Sequence, residues 1–298
     1  MSRPPPPAPR KRLGPLDWAL LLICAVAVAW FAWRISTLQN YRWNWAPIPQ
    51  FFLRWDDGAQ AWVANILMHG LLNTIRLTVF GMILATLIGF AIGLMRTSRD
   101  PFLRLVARAY VEVMRNTPPL VIIFILYFFL SSQIVPKLGL EAAIASASPG
   151  TRAVLGFLFG DPKLVENFAS GLLCLALFEA AYVAEIIRAG IESIVRGQWE
   201  AAASLGLRRR QILAKVILPQ ALARTIPPLC NQSVSLVKDS SIVSLVSIQE
   251  LTFMATDIAV STTRIYEVWL TIAAVYLLVC GLMSFVFGRI ERRYAHRR

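Results

Sequence analysis

Apolar and polar segments alternate six times along the chain. The apolar segments cover approximately residues 16 to 33, 65 to 94, 106 to 134, 169 to 191, 223 to 246 and 268 to 287. Each is close to the roughly 20 residues that an α-helix needs to cross the hydrocarbon core of a bilayer. The pattern therefore predicts an all-α membrane protein with about six transmembrane helices.

Composition supports the membrane assignment, since hydrophobic residues occupy 57% of the 298 positions. This exceeds the roughly 45–50% apolar content of an ordinary soluble domain. The formal net charge is +13, which in a soluble protein would suggest a nucleic-acid partner. In a membrane protein the same charge would instead be concentrated on one side of the bilayer.

The positions of the basic residues decide between these two interpretations. With the N-terminus inside, twenty Lys and Arg residues fall in segments on the inner side and six fall in segments on the outer side. Six spans with both termini in the cytoplasm then satisfy the positive-inside rule at every loop. The charge is therefore expected to set orientation and to contact anionic membrane lipid, and no nucleic-acid partner is predicted.

The segments before the second span have distinct compositions. Residues 1 to 15 are rich in proline and arginine, which predicts a disordered cytoplasmic tail. Residues 16 to 35 are expected to form an uncleaved transmembrane helix rather than a signal peptide, because no small-residue cleavage site follows. Residues 36 to 63 contain four tryptophans, which is typical of a connection at the membrane surface.

Two features inside the apolar segments concern helix packing. Gly89 and Gly93 form a GxxxG pattern, which would let a second helix approach closely, although such patterns are common in apolar helices. Pro118 and Pro119 interrupt the third segment and are expected to kink or restart its helix. The following 35 residues are predicted to be an outer loop with a short helix.

A mostly polar segment from 200 to 219 separates the fourth and fifth apolar segments. It is predicted to be helical, to break at Gly206 and to end at Pro219. Small side chains at 201 to 203 would leave a flat face that another protein could approach, and the arginines at 208 to 210 mark the side facing water. The segment is typical of a docking element; a plain solvated helical hairpin is the alternative.

Enzymatic chemistry is not indicated. The sequence contains no Gly-Lys dipeptide, so a GxxxxGK[ST] phosphate-binding loop is excluded, and no HExxH or GxSxG motif occurs. The four cysteines are scattered through apolar segments and do not predict a metal site. We expect a transport subunit that is not an enzyme and carries no cofactor or metal.

The 200 to 219 segment also carries a family resemblance. Glu200-Ala201-Ala202, then Gly206, then Leu218-Pro219 resembles the EAA loop of the integral-membrane subunits of bacterial ABC importers. Further similarity to the polar amino-acid subfamily, which includes histidine, glutamine and glutamate permeases, extends from about 70 to 289. It includes the stretches at 73 to 78, 112 to 118, 184 to 191 and 236 to 241.

The resemblance implies a specific architecture and set of partners. The fold would be that of a type I ABC importer permease, with a five-helix core at 64 to 290, a cytoplasmic coupling loop at 192 to 222, a cytoplasmic tail at 291 to 298 and one extra N-terminal helix. A separate ATPase dimer, a second permease subunit, identical or paralogous, and a periplasmic binding protein would complete a bacterial inner-membrane importer of polar L-amino acids. The residues implied to couple to the ATPase are Glu200, Ala201, Ala202, Gly206, Leu218 and Pro219.

Polar residues inside the membrane segments are candidates for a substrate path or gate, because such groups are costly in lipid. Glu179 lies deep in the fourth segment. Asn231, Ser235 and Lys238 share one helical face of the fifth segment, and Asp239 follows them. This face could bind a second permease subunit, or it could line a wet passage for the charged ends of an amino acid.

Charged residues near the inner end of the fourth segment follow helical spacing. Glu185, Arg188, Glu192 and Arg196 could form a ladder of ion pairs, with a substrate contact as the alternative. Arg115 is expected to anchor at the interface or to pair with Glu112.

Two other functional classes remain as alternatives. One is an ion-coupled secondary carrier, and the other is a membrane scaffold without a transport role. The chain shows no pair of interrupted spans in corresponding halves, as such carriers often do, and a scaffold would not need the polar fifth segment.

Overall fold

A computed structural model describes residues 14–36 and 41–295 of the chain. It divides into one unit at Met1–Asn44 and a second at Trp45–Arg298. The first unit contains helix α1, Pro15–Ser36, which corresponds to the predicted extra helix. The predicted N-terminal tail lies almost entirely outside the described residues.

The second unit is mostly helical, and its elements follow one another with short connections. Its α-helices and strands are α2 (Ile48–Phe52), β1 (Leu53–Asp56), β2 (Ala61–Ala64), α3 (Ile66–Arg96), α4 (Pro101–Asn116), α5 (Pro119–Ile125), α6 (Ser132–Ile134), α7 (Leu140–Ser146), α8 (Pro149–Phe159), α9 (Val165–Glu192), α10 (Arg196–Ser204), α11 (Arg209–Ile212), α12 (Leu218–Asp239), α13 (Leu251–Thr262) and α14 (Ile265–Ala295). Helix α14 thus continues into the stretch predicted to be a C-terminal tail.

Four described segments are long and apolar enough to cross a membrane: Ile66–Arg96, Pro119–Ser146, Pro162–Glu192 and Ile265–Arg289. A fifth candidate is bent by 52° between Arg209–Val246 and Leu251–Thr262. Together with the shorter apolar helix Pro15–Phe31 in the first unit, these correspond to the six apolar segments of the sequence.

The third predicted span begins later than the sequence pattern indicated. Residues 106 to 116 belong to α4, a separate helix that exposes charged as well as apolar side chains, and the apolar segment begins at Pro119. Asp100 caps α4 by accepting a hydrogen bond from the backbone N–H of Phe102 at 2.9 Å. Thr117 and Pro118 are extended, so the two prolines restart the helix rather than kink it.

The connection before α3 contains a small antiparallel sheet that the sequence analysis did not predict. Strands β1 and β2 pair with Trp55 opposite Trp62, and the two indole rings meet edge to face at 5.7 Å. Cross-strand aromatic pairs of this kind stabilise hairpins. The tryptophan-rich region is therefore partly ordered by its own side chains.

Helices α3 and α9 pack against each other along most of their length. A Cβ atom at Gly89 would lie 2.8 Å from the carbonyl oxygen of Ala180, and one at Gly93 would lie 2.9 Å from that of Ala184. The GxxxG pattern therefore marks a true helix contact. Around this pair the main core includes Leu77, Ile123 and Phe178.

The region predicted to be an outer loop contains two α-helices, of which α7 still belongs to the apolar segment Pro119–Ser146 and α8 follows it. Helices α7 and α8 lead into a left-handed residue at Gly160, with φ of 87°. The end of α8 is attached to α3, because Arg76 Nε donates to the carbonyl of Phe157 at 3.0 Å. Phe159 stacks on Phe80 of α3 with ring centroids 5.2 Å apart.

Candidate functional site

Helix α10 is the centre of the segment predicted to dock on a partner. It begins at Arg196, separated by three residues from the end of α9 at Glu192, and Arg196 pairs with Glu200 at 2.8 Å on its exposed side. The opposite side is apolar and faces the rest of the chain. The helix is thus a short amphipathic element, with one face exposed and the other packed on its own chain.

The two faces of α10 place the predicted coupling residues differently. Glu200, Ala201 and Gly206 are exposed, and Leu205 is 80% exposed at the tip of the helix. Ala202 is buried and belongs to a cluster with Ile212 and Ile217. Ala202 therefore supports the helix from inside, whereas Ala201 and Leu205 form an exposed apolar surface.

Gly206 ends α10 as the sequence predicts. Its φ is 73°, in the left-handed region, and its N–H donates to the carbonyl of Ala203 at 2.9 Å. The N–H of Leu207 reaches back to Ala202 at 3.4 Å. This is the usual glycine termination of a helix, in which a side chain would be strained.

Pro219 does not end a helix, contrary to the sequence prediction. Helix α11 passes through a π-helical turn, Leu213–Ile217, directly into α12, and Pro219 lies in the first turn of α12. The wide turn changes the hydrogen-bonding pattern at the point where proline lacks a donor. Leu218 is half-buried at this junction, and Pro219 is exposed.

A second group of polar side chains lies inside the bundle between α9 and α12. Glu179 is fully buried, and its Oε2 accepts a hydrogen bond from Nε2 of Gln232 at 2.6 Å. Its Oε1 has no hydrogen-bond partner among the described residues. Asp239 is half-buried and interacts electrostatically with Glu179. The structure thus brings two carboxylates into one partly apolar environment.

The remaining candidates of the fifth segment lie on the surface of this single chain. Asn231 and Lys238 are exposed and Ser235 is half-buried. A polar face open on the surface of a membrane helix requires water or another protein against it. Both interpretations of this face, subunit contact and wet passage, are therefore retained.

The ladder of ion pairs on α9 is confirmed in part. Arg188 pairs with both Glu185 and Glu192, as the spacing predicted. Arg196 pairs with Glu200 instead, because the chain leaves α9 before reaching it. Glu112 pairs with Arg108 and not with Arg115.

Residues 79–296 match the family described as "Binding-protein-dependent transport system inner membrane component". The chain belongs to this family. The prediction from the 200 to 219 segment, a permease subunit with the type I ABC importer fold, is thereby confirmed.

Characterised permeases extend the match beyond the family model. The glutamine transport system permease protein GlnP of Escherichia coli is 31% identical over 238 residues, covering 80% of this chain and 97% of GlnP. The L-cystine transport system permease protein TcyB of Bacillus subtilis is 34% identical over 229 residues, covering 76% and 86%. A crystal structure of an amino acid ABC transporter with histidines superposes with a TM-score of 0.61 at 33% identity, covering 76% of this chain and 94% of that one.

Glu250 is a buried carboxylate of the permease that the sequence analysis missed. Glu250 is fully buried and caps α13 by accepting from the N–H of Phe253 at 2.8 Å. It also accepts from the hydroxyl of Tyr276 at 2.9 Å and from Thr74 at 3.2 Å. Its position before an apolar helix is an N-cap signal, but its partners come from α3 and α14, which no local pattern connects to it.

The sequence analysis also did not predict the contact of Gln232 with Glu179, since the helical pattern placed Asn231 and Ser235 on the candidate face. Its side chain, not theirs, contacts Glu179. The choice between adjacent polar residues depends on the exact rotation of α12. That rotation is altered by the π-helical turn, which sequence periodicity does not indicate.

Proposed function

We propose that this permease subunit imports polar amino acids across the bacterial inner membrane, with both termini in the cytoplasm. Substrate would arrive on a periplasmic binding protein, and energy would come from a separate ATPase dimer. A second permease subunit, identical or paralogous, would complete the path. The amino-acid assignment is supported by the similarity to the glutamine permease GlnP and the L-cystine permease TcyB.

The observation that carries the mechanism is the geometry of α10. The helix is fixed to its own chain by Ala202 and by Arg209, whose guanidinium lies 5.9 Å from the ring centre of Trp199. It exposes Glu200, Ala201 and Leu205 in the other direction. A rigid helix seated in a groove of the ATPase would transmit its displacement to the bundle without chemistry of its own.

Substrate would pass the polar groups of α9 and α12. Glu179 and Asp239 supply two carboxyl groups, and the exposed Lys238 supplies an ammonium group next to Asp239, so the two ends of an amino acid would each find a polar partner. Asn231 and Ser235 would extend this polar surface. The unpartnered Oε1 of Glu179 suits a donor such as the substrate ammonium group.

Docking is tested by co-purification with the ATPase and by uptake in proteoliposomes that contain the binding protein. Gly206→Pro should abolish ATPase retention, because proline cannot adopt the positive φ at this position. Gly206→Ala should weaken retention, whereas Gly281→Ala in α14, outside the docking segment, should leave it unchanged, since nothing lies within 4 Å of a Cβ atom at Gly281. Normal retention and uptake by Gly206→Pro would refute the assignment, and uptake without any ATPase would favour a secondary carrier.

A further inference from the structure

Glu185 is the meeting point of side chains from three helices. Arg96, at the end of α3, pairs with its Oε2, and Arg188 of α9 pairs with its Oε1. Nη1 of Arg115, near the end of α4, lies 3.9 Å from Oε2. A purely local ladder on α9 would need only Arg188, so the two further arginines indicate a contact between helices.

The surroundings of Glu185 make this contact more than a surface ion pair. The side chains of Arg96 and Glu185 are only 16% and 24% exposed, so salt screens their interaction less than it screens exposed pairs. The guanidinium of Arg115 lies 5.4 Å from the ring centre of Tyr182, one turn earlier on α9. Arg115 of α4 therefore contacts α9 both through the charge of Glu185 and through the ring of Tyr182.

Helix packing around Glu185 leaves little room for adjustment. At this level α3 touches the backbone of α9, because a Cβ atom at Gly93 would lie 2.9 Å from the carbonyl oxygen of Ala184. On the other side Val111 of α4 packs with Ala181 and Ala184. Glu185 therefore adds ion pairs at a place where the three helices are closely packed.

The same end of α9 leads directly to the docking helix. Arg188 also pairs with Glu192, the last residue of α9. Arg224 of α12 donates to the carbonyl of Ser193 at 2.5 Å and to its hydroxyl at 3.1 Å. A displacement of α10 would therefore reach α9 and α12 through these contacts. The docking segment also has a direct contact with the end of α3, because Nη2 of Arg209 donates to the carbonyl of Thr97 at 3.4 Å. Glu185 joins α4 to these helices at the same end of α9.

We propose that Glu185 is a positioning residue that makes α3 and α4 move with α9 when the docking helix is displaced. The proposal rests on the proposed function, since it concerns how a displacement received at α10 spreads through the bundle. Glu185 touches neither the exposed face of α10 nor Glu179. Its loss should leave ATPase docking intact and impair the coupling of ATP hydrolysis to transport.

The test uses the complete transporter, reconstituted with its ATPase and binding protein. Glu185→Gln should retain the ATPase and its basal hydrolysis. Stimulation of hydrolysis by the liganded binding protein and uptake should both fall about tenfold, the order expected when a charge-assisted hydrogen bond is lost. Glu185→Asp keeps the charge and should restore part of the stimulation.

Glu112→Gln is the matched control. Glu112 is a carboxylate on α4 that pairs with Arg108 at 2.6 Å within its own helix, and the two side chains are 51% and 65% exposed. Its neutralisation removes the same charge without loosening a contact between helices. Stimulation and uptake should remain at the wild-type level.

A double-mutant cycle tests whether Glu185 acts through its ion pair with Arg96. Arg96→Gln should reproduce the defect of Glu185→Gln, and the double variant should be no worse than either single variant, because both remove the same contact. If Glu185→Gln does not fold, Arg115→Gln remains informative: its longer and more exposed contact should give a smaller loss in the same direction.

Two results would overturn the proposal. One is full stimulation and uptake in Glu185→Gln, and the other is loss of ATPase retention in that variant, which would place Glu185 in docking itself. Failure of the proposed function would look different, because the wild-type permease would then retain no ATPase or would transport without one.

Discussion

Single glycines determine how closely the helices of this permease approach each other. Gly93 has no space for a side chain, since a Cβ atom would lie 2.8 Å from Ile187 and 2.9 Å from the backbone of Ala184. The GxxxG pattern pointed to this contact, but it could not identify α9 as the partner. The partner follows from tertiary packing and not from a local pattern.

We expect Gly93→Ala to lower the free energy of unfolding by about 1–3 kcal/mol, the usual cost of overpacking a tight contact. Thermal unfolding of the purified permease in detergent measures the change. Gly281→Ala is the control, because nothing lies within 4 Å of a Cβ atom there. That substitution should be neutral or slightly stabilising, as alanine is the better helix former. Equal destabilisation by both would contradict the steric explanation.

Glu250 joins three helices, because it caps α13 and accepts hydrogen bonds from Thr74 of α3 and Tyr276 of α14. Replacement by alanine removes the cap of α13 and leaves the hydroxyls of Thr74 and Tyr276 without their acceptor. We expect a loss of about 1–3 kcal/mol in stability, the cost of unsatisfied buried polar groups. Tyr276→Phe removes one donor only and should cost about 1 kcal/mol. A larger effect of Tyr276→Phe than of Glu250→Ala would exclude this account.

At the scale of elements, the sequence pattern predicted where helices exist better than how they are divided. The helix ends before Pro118 and a new one begins at Pro119, which is one of the two outcomes that the proline pair predicts. The predicted span from 106 to 134 wrongly included the apolar residues of α4, a helix that also exposes charged side chains. Pro219 was predicted to end a helix, but the π-helical turn before it lets the helix continue. Proline interrupts a local hydrogen bond, and the surrounding packing decides the outcome.

The attachment of α8 to α3 gives a prediction at this scale. Arg76→Gln should release the end of α8, because it removes the guanidinium that donates to Phe157. Limited proteolysis should then cut residues 147 to 164 several times faster than in the wild type. Lys163→Gln, which changes an exposed side chain in the same connection, should not alter the rate. Equal cleavage of wild type and Arg76→Gln would show that the stacking of Phe159 on Phe80 suffices.

At the scale of the whole molecule, the distribution of charge and apolar segments predicted the fold class, whereas the arrangement of the polar interior required the structure. The sequence identified Glu179 as unusual because a carboxylate in a span is costly. It did not show that Gln232 and Asp239 are its neighbours. Those contacts join residues more than fifty positions apart.

Glu179→Gln should test the role of this interior in transport. If the carboxylate contacts the substrate ammonium group, uptake should fall at least about tenfold, the order of a lost charged hydrogen bond, while ATPase retention stays normal. Glu141→Gln, on the exposed surface of α7, is the matched control and should transport normally. Unchanged uptake in Glu179→Gln would remove Glu179 from the substrate path.

The wide turn at Leu213–Ile217 sets the rotational phase of everything that follows it along α12. One residue more or fewer at this point would turn the rest of the helix by about 100°. The number of residues between Arg209 and Gln232 therefore determines which position of α12 faces Glu179. The chemical identity of the residues in between does not change that position. A relative that shortens this stretch by one residue would need its amide partner for Glu179 at a different place in the sequence.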